Sequence, residues 1–491
     1  MNSRNLLLLV AVLFSTTLFA DFVPLKTAKK VALHFYYEKY NQYEGELSLN
    51  NLRVVATHTE FKDEIPCYYV FHLNTGGFII VSADDCLTPV LGSPFYQNYV
   101  IENQPPNVQY WFGQYKDQVI YAIENEMKPD TKKLSDWQYY VSDASQPLKA
   151  EREDGVGPLL TTLWDQGWPY NCMCPIGEGG QAITGCVATA YAQCLYYWKF
   201  PLHGSGFHCY THPVYGNLCA DFENTWYRWD EMCDSPQTIN TAIGELMYHV
   251  GVAVEMDYGV SSSGAWGFPE EIEPYFNIST DYDSIQRDLY GPDEWRDMIL
   301  DQLNQHFVVL YIGFTAYPGG TGHFWVCDGY QDESYFHMNW GWGGSANGYF
   351  TLDNLQGYNT FQYIGINFYP DRINFEYPLY ASGADTCLVM EGSIDDGSGP
   401  VDDYLNNTVA SWLIDPQTDE DSVTNITIEI KRLDLFADAD RLYIYDGEDN
   451  TAPLIGEFGG NEIPEAITSS GNQLFVEFIT DDENTAGGFY L

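Results

Sequence analysis

Apolar and polar positions divide the chain into three blocks of different character. In the first, residues 28–40 read as a helix, and residues 68–73 and 77–82 as two strands around the turn Asn74-Thr75-Gly76. Residues 108–127 read as a second helix, with Trp111, Tyr115, Ile120 and Ile123 among its apolar positions. This is an α+β unit with no catalytic set. Residues 142–158 are polar and hold Lys149, Arg152 and Gly155, which predicts a linker open to proteolysis.

The second block predicts a helix over 186–199, with Val187, Ala190, Tyr191, Cys194 and Leu195 on one buried stripe and Pro201 as its stop. Further helices are predicted over 242–250 and 292–305, then strands over 308–314, 323–327, 335–340 and 349–352. The tail alternates strands such as 426–430, 442–445 and 474–478 with acidic, Gly-rich turns, the pattern of a β-sandwich. The N-terminus carries Arg4, an apolar run over 6–13 and Ala20 before a cut, the pattern of a secretory signal. The run is too short to span a membrane, and no later segment is long and apolar enough to do so. The boundaries are then 1–20 for the signal, 21–150 for the first unit and linker, 151–379 for the central domain and 380–491 for the tail.

Composition narrows the function. The chain has 491 residues, 69 acidic against 21 basic, for a formal charge of −48. That excludes a nucleic-acid face, which needs clustered Lys and Arg. Eleven cysteines in an exported chain leave at least one thiol over after full pairing. Cys186 starts its helix, where unpaired N–H groups and the helix dipole favour a thiolate. His323 starts a strand beside Gly319-Gly320-Thr321-Gly322 and is the candidate base. A hairpin turning near Gln331 would set Asn339 opposite His323, to hold its ring, with Trp340 and Trp342 shielding that bond. The Cys186 N–H and the side-chain amide of Gln166 are the candidate oxyanion donors. Each residue alone also fits a plainer role: a disulfide for Cys186, a strand-end hydrogen bond for His323, a turn for Asn339, core for the tryptophans. His203, His208, Cys209 and His212 have metal-ligand spacing, against which stands pairing of the cysteine.

The same residues carry a resemblance. Gln166-Gly167-Trp168-Pro169-Tyr170-Asn171, Thr184-Gly185-Cys186-Val187-Ala188-Thr189-Ala190, Gly322-His323 and His337-Met338-Asn339-Trp340-Gly341-Trp342-Gly343-Gly344 follow one another in order and resemble the streptopain family of secreted bacterial cysteine proteases. The resemblance implies a papain-like fold, with Cys186 as nucleophile, His323 as base, Gln166 as oxyanion donor, and Asn339 and Trp340 behind the histidine. It implies substrate-backbone binding by Ser262, Ser263 and Gly322. Cys172, Cys174, Cys194, Cys209, Cys219 and Cys233 depart from the family pattern and imply extra disulfides of open connectivity.

Tyr68-Tyr69-Val70-Phe71 and residues 74–82 resemble that family's inhibitory propeptide. The tail, through Asp440-Arg441-Leu442-Tyr443-Ile444-Tyr445-Asp446-Gly447 and Phe478-Ile479-Thr480-Asp481, resembles a CUB domain. Its calcium-binding members place carboxylates at the positions of Asp440 and Asp481, with Asp434 or Asp438 as a third. The usual CUB disulfides are missing, and the chain stops about where the last strand is expected, the pattern of a fragment. The fold expected is therefore α+β: a papain-like domain between an α+β prodomain and an all-β sandwich. The function expected is a secreted zymogen of a cysteine endopeptidase, needing no cofactor for catalysis, with Ca²⁺ in the tail. Its partners would be protein or peptide substrates and its own prodomain, with no nucleic acid and no stable membrane insertion. The alternative is a catalytically silent scaffold acting as a cell-surface or calcium-dependent binding protein.

Overall fold

The computed structural model describes residues 22–96, 99–142, 155–267, 269–314, 322–352, 362–371, 382–418, 422–437 and 439–491. The signal segment, most of the linker, residues 319–321 and Asp438 lie outside the described residues.

The first unit is a three-layer sandwich. Helix α1 (Leu25–Lys39) covers one face of four antiparallel strands, β1 (Val54–Lys62), β2 (Ile65–Leu73), β3 (Phe78–Ser82) and β4 (Val90–Ser93). Helix α2 (Pro106–Glu124) covers the other, and α3 (Thr131–Val141) packs beside α1. Strands alternate their side chains between faces. Tyr69, Phe71, Ile79 and Val81 therefore join the α1 core, while Tyr68, Val70, Phe78 and Ile80 join the α2 core. β1, β4 and α3 had no sequence signal strong enough to be predicted.

The central domain opens with β5 (Gly155–Val156) and a small hairpin of β6 (Ile176–Gly177) and β7 (Gly180–Gln181). Then come α4 (Cys186–Trp198), the hairpin β8 (Phe207–His212) with β9 (Gly216–Asp221), α5 (Thr241–Ala253) and α6 (Pro269–Phe276). After β10 (Asp283–Gln286) and α7 (Pro292–Asn304) come β11 (Val309–Phe314), β12 (Gly322–Gln331), β13 (Tyr335–Asn339), β14 (Gly348–Thr351) and β15 (Gln362–Ile366).

The two units are not separate bodies joined by a tether. β4 pairs with β14 (Gly92 with Phe350, Ser93 with Tyr349), so one sheet runs β1-β2-β3-β4-β14-β13-β12-β11-β15-β10, with β5 on the end of β12. Trp111 of α2 meets Tyr311, Trp325 and Trp340 with ring centroids 5.6, 5.8 and 6.0 Å away. The Tyr115 hydroxyl donates to the Leu91 carbonyl at 2.7 Å and the Thr351 carbonyl at 3.1 Å, one on each side of the junction. Aromatic burial on this scale contributes about 2–3 kcal/mol per side chain.

The tail is a five-stranded sheet of β16 (Ser382–Cys387), β17 (Val409–Ile414), β20 (Arg441–Tyr445), β21 (Leu454–Phe458) and β23 (Leu474–Ile479). The strand pairs β18 (Thr427–Ile428) with β22 (Ile467–Thr468) and β19 (Arg432–Asp434) with β24 (Gly488–Tyr490) complete it. It docks on the C-terminal end of α4. Lys199 pairs with Asp395 and donates to Ser393 Oγ at 3.1 Å, and the hydroxyls of Tyr196 and Tyr490 lie 2.9 Å apart.

Among the described residues one disulfide forms, Cys209–Cys219 across β8 and β9. Cys172, Cys174, Cys194 and Cys233 are free, which corrects the expectation of several extra disulfides; Cys174 and Cys194 are instead small apolar residues of the central core.

A buried ion pair ties the first unit to the β12–β13 turn. Lys39 and Asp332 pair with side chains only 5% and 12% exposed, and Tyr43 donates its hydroxyl to Asp332 at 2.7 Å. Asp332→Asn leaves the Lys39 ammonium only the Gln42 side-chain oxygen at 3.2 Å and the Glu38 carboxylate at 3.8 Å, so the uncut chain should lose roughly 1–3 kcal/mol of stability. Calorimetry on the uncut and the processed forms checks this: the loss is expected in the first and not in the second, and no loss in the uncut chain would show that the pair does not hold the unit.

Candidate active site

Cys186 begins α4 behind Gly185, whose φ of 86° suits only glycine. A Cβ there would lie 2.9 Å from the sulfur of Met256 and 3.1 Å from the Ser263 carbonyl, so the approach to the cysteine admits no side chain. The thiol is free and half-buried. Burial pushes it above its ordinary value of 9, while the N–H groups of Phe324, Val187 and Cys186 itself pull partly back. The Phe324 contact sets the sulfur at the start of β12, beside the backbone of His323.

His323 does not meet the thiol. Among the described residues no hydrogen bond joins Cys186 to His323, whose ring centroid lies 6.4 Å from that of Tyr110 on α2. Burial lowers the His323 imidazole to about 4. Both shifts favour the neutral thiol and the neutral imidazole. Tyr110 reaches this position because Gly313, the β11 partner of His323, has no side chain; a Cβ there would stand 2.2 Å from the tyrosine ring. Next to it, Asn107 is buried and donates its amide to the carbonyls of Phe324 at 3.3 Å and Trp340 at 2.8 Å. Sequence reasoning missed Asn107 and Tyr110; their signal is the Pro105-Pro106 helix start, which names a helix end but not its target.

The predicted His323–Asn339 pairing is corrected. The turn spans Asp332, Glu333 and Ser334, and Asn339 pairs with Val326, three residues past His323. Its amide donates to the Thr162 carbonyl at 2.8 Å, and its Oδ1 accepts from the Gly341 N–H at 3.2 Å. Trp340 does not shield such a bond either. It is fully buried against Trp111, Trp325 and Phe350, with its indole N–H on the Ala346 carbonyl at 2.9 Å.

Gln166 stands in register with the nucleophile loop, its carbonyl accepting from the Thr184 N–H at 2.9 Å. The Asp165 carboxylate takes the N–H groups of Gln166 and Gly167 and so fixes the turn. The Gln166 Nε2 is buried without a hydrogen-bond partner among the described residues. An unsatisfied buried donor costs about 1–3 kcal/mol, so its persistence needs an explanation.

Ser263 is buried. Its hydroxyl donates to the Ile183 carbonyl at 2.7 Å and accepts from the Gly259 N–H at 3.0 Å, which leaves exposed Ser262 at the tip of the loop. Gly322 pairs with Phe314, whose ring would stand 2.7 Å from a Cβ. The metal reading of His203, His208, Cys209 and His212 fails: Cys209 is in the disulfide, and His208 and His212 bond Glu255 and Asp257 at 3.1 Å each. In the tail, buried Asp440 accepts from Tyr404 at 2.5 Å and from the Asp481 N–H at 2.9 Å, while the Asp481 carboxylate accepts from the Glu483 N–H at 2.8 Å. Asp434 turns to the Gly487 N–H at 3.1 Å.

Residues 164–350 match the model of the Peptidase C10 family, 20–119 that of the Spi protease inhibitor, and 384–491 that of the CUB domain. Streptopain of Streptococcus pyogenes is 30% identical over 313 residues, covering 58% of this chain and 74% of that protein. The chain belongs to the peptidase C10 family. Another relative of this C10 peptidase is the thiol protease/hemagglutinin PrtT of Porphyromonas gingivalis, 30% identical over 357 residues. That match covers 66% of this chain but only 39% of PrtT. The solved prointerpain A fragment of Prevotella intermedia is 30% identical and superposes with a TM-score of 0.53, over 64% of this chain and all of that one. The C10 chain thus has the make-up of a cysteine protease zymogen: a protease-inhibitor unit, a thiol protease domain and a CUB domain.

The low His323 value has a sign. The folded zymogen binds fewer protons there than the unfolded chain, so this stabilisation is full above the ordinary value of 6.5 and is lost as pH falls towards about 4. Urea midpoints at pH 7 and pH 4.5 should therefore drop further in the wild type than in His323→Gln, where that proton site is gone. Equal drops would show that His323 takes no part in the acid sensitivity.

Proposed function

We propose that the processed chain is a secreted or surface-exposed cysteine endopeptidase, kept silent before processing by its own N-terminal unit. Cutting of the linker lets α2 leave, which takes Tyr110 from His323 and Asn107 from the carbonyls of Phe324 and Trp340. His323 then turns to Cys186 and takes its proton. The thiolate attacks a peptide carbonyl carbon, and the new oxyanion rests between the Cys186 N–H and the Gln166 Nε2. The imidazolium gives its proton to the departing amine, and water, deprotonated by His323, hydrolyses the thioester. Asn339 acts at one remove, tying the strand end behind the site to Thr162, and Trp340 fills the core beneath it. Ser262, Ser263 and Gly322 line the course of the substrate backbone.

The observation that carries this reading is the unpartnered Gln166 donor beside a free thiol at a helix start. A disulfide at Cys186, which would have favoured a binding protein, does not form. Catalysis itself draws only on groups of the chain and water. Calcium belongs to the tail: Asp440 and Asp481 offer the hard oxygens it prefers, though only two of the six or more it takes. There it would order the end of the module, remote from the thiol chemistry. No helix among the described residues is long and apolar enough to cross a membrane.

Gln166→Ala tests the oxyanion assignment. In the processed enzyme it should lower kcat on a fluorogenic peptide about 100-fold or more. Alkylation of Cys186 should continue, and Cys186→Ala should abolish both. Undiminished kcat in Gln166→Ala would remove Gln166 from the reaction.

A further inference from the structure

The histidine-rich hairpin that fails as a metal site makes a different set of contacts. Three alternate residues on one face of β8 bond three successive residues of the loop after α5. His208 Nε2 meets Glu255 Oε1 at 3.1 Å, the Tyr210 hydroxyl donates to the Met256 carbonyl at 2.6 Å, and His212 Nε2 meets Asp257 Oδ1 at 3.1 Å. The opposite face of β8 carries Cys209, locked to Cys219 on β9. His212 is buried, and its Nδ1 accepts the N–H groups of Val214 at 3.1 Å and Tyr215 at 3.3 Å. Its proton therefore sits on Nε2 and is donated to Asp257.

The braced segment leads directly to the nucleophile. Asp257 exchanges both backbone hydrogen bonds with Gly264, at 2.9 and 3.2 Å, closing the loop that holds Ser262 and Ser263. Ser263 bonds Ile183, and Met256 lies beneath Gly185, so the loop and the approach to Cys186 form one wall.

We propose that the disulfide-closed hairpin is a brace that sets the substrate-binding loop, with His212 and Tyr210 as positioning residues for the peptide backbone. This rests on the peptidase reading above. The brace touches neither Cys186 nor His323, so its loss weakens substrate binding rather than the chemistry.

The test uses the processed full chain, a fluorogenic peptide and iodoacetamide alkylation of Cys186. His212→Ala should raise KM about tenfold with kcat within about twofold, the signature of lost uniform binding. The alkylation rate should not change. His212→Gln, whose amide reaches Asp257, should restore KM. His212→Asn, long enough only to cap Val214 and Tyr215, should not. Tyr210→Phe removes a single hydroxyl and should raise KM about threefold, which keeps the proposal open to refutation should His212→Ala not fold. Unchanged KM in Tyr210→Phe and His212→Ala, with the wild type active, would overturn the brace alone. Rescue by Asn and not by Gln would also overturn it, since that is the behaviour of a turn cap. No turnover by the processed wild type would overturn the peptidase reading, and the brace with it.

Discussion

The pairing of β4 with β14 is the constraint on which the remaining structure depends. It is short, two residue pairs, yet it makes one sheet of two units and brings α2 down across the peptidase strands. Once α2 lies there, Trp111 and Tyr115 enter a core shared with Trp325, Trp340 and Phe350. Asn107 and Tyr110, one and four residues into the same helix, then fall on the start of β12, beside Phe324 and His323. The contacts that bury the aromatic core thus also set Tyr110 and Asn107 against the start of β12.

The catalytic end of the site is built independently. Helix α4 supplies the thiol at its first residue and, at its other end, Tyr196 and Lys199 to the tail domain. The loops carrying Gln166 and Ser263 are pinned to residues 183–184 by backbone and hydroxyl bonds. These contacts do not involve α2. On the proposed mechanism, donors held in this way need little rearrangement at activation.

Much of this was legible in the sequence where the signal was local. Helix α4 and its apolar stripe, the start of β12 at His323 and the Gln166 loop follow from periodicity and turn chemistry. The register of the β12–β13 hairpin did not, since it turns on Asp332 and Glu333, both with positive φ (53° and 51°) and neither a glycine. Hairpin turns with two successive positive-φ residues usually announce themselves by Asn-Gly or Asp-Gly. A bulge between Cys327 and Gly329 takes one residue of that shift back, and so Asn339 lands opposite Val326. The β4–β14 junction was equally silent: β4 is four residues long, and its partner lies more than 250 positions away in the chain. The single disulfide shows the same limit, because spacing named six candidate cysteines but could not separate a cross-strand pair from buried thiols.

The measurement that bears most directly on the account is the rate at which an epoxide thiol-protease inhibitor labels Cys186 at neutral pH, before and after limited proteolysis of the linker, read by peptide mass spectrometry with Cys186→Ala as control. The account expects negligible labelling of the intact chain and prompt, exclusive labelling of Cys186 once the linker is cut. Equal labelling before the cut, or an inert or disulfide-bonded Cys186 after it, would contradict the claim that the N-terminal unit silences an otherwise assembled thiol site.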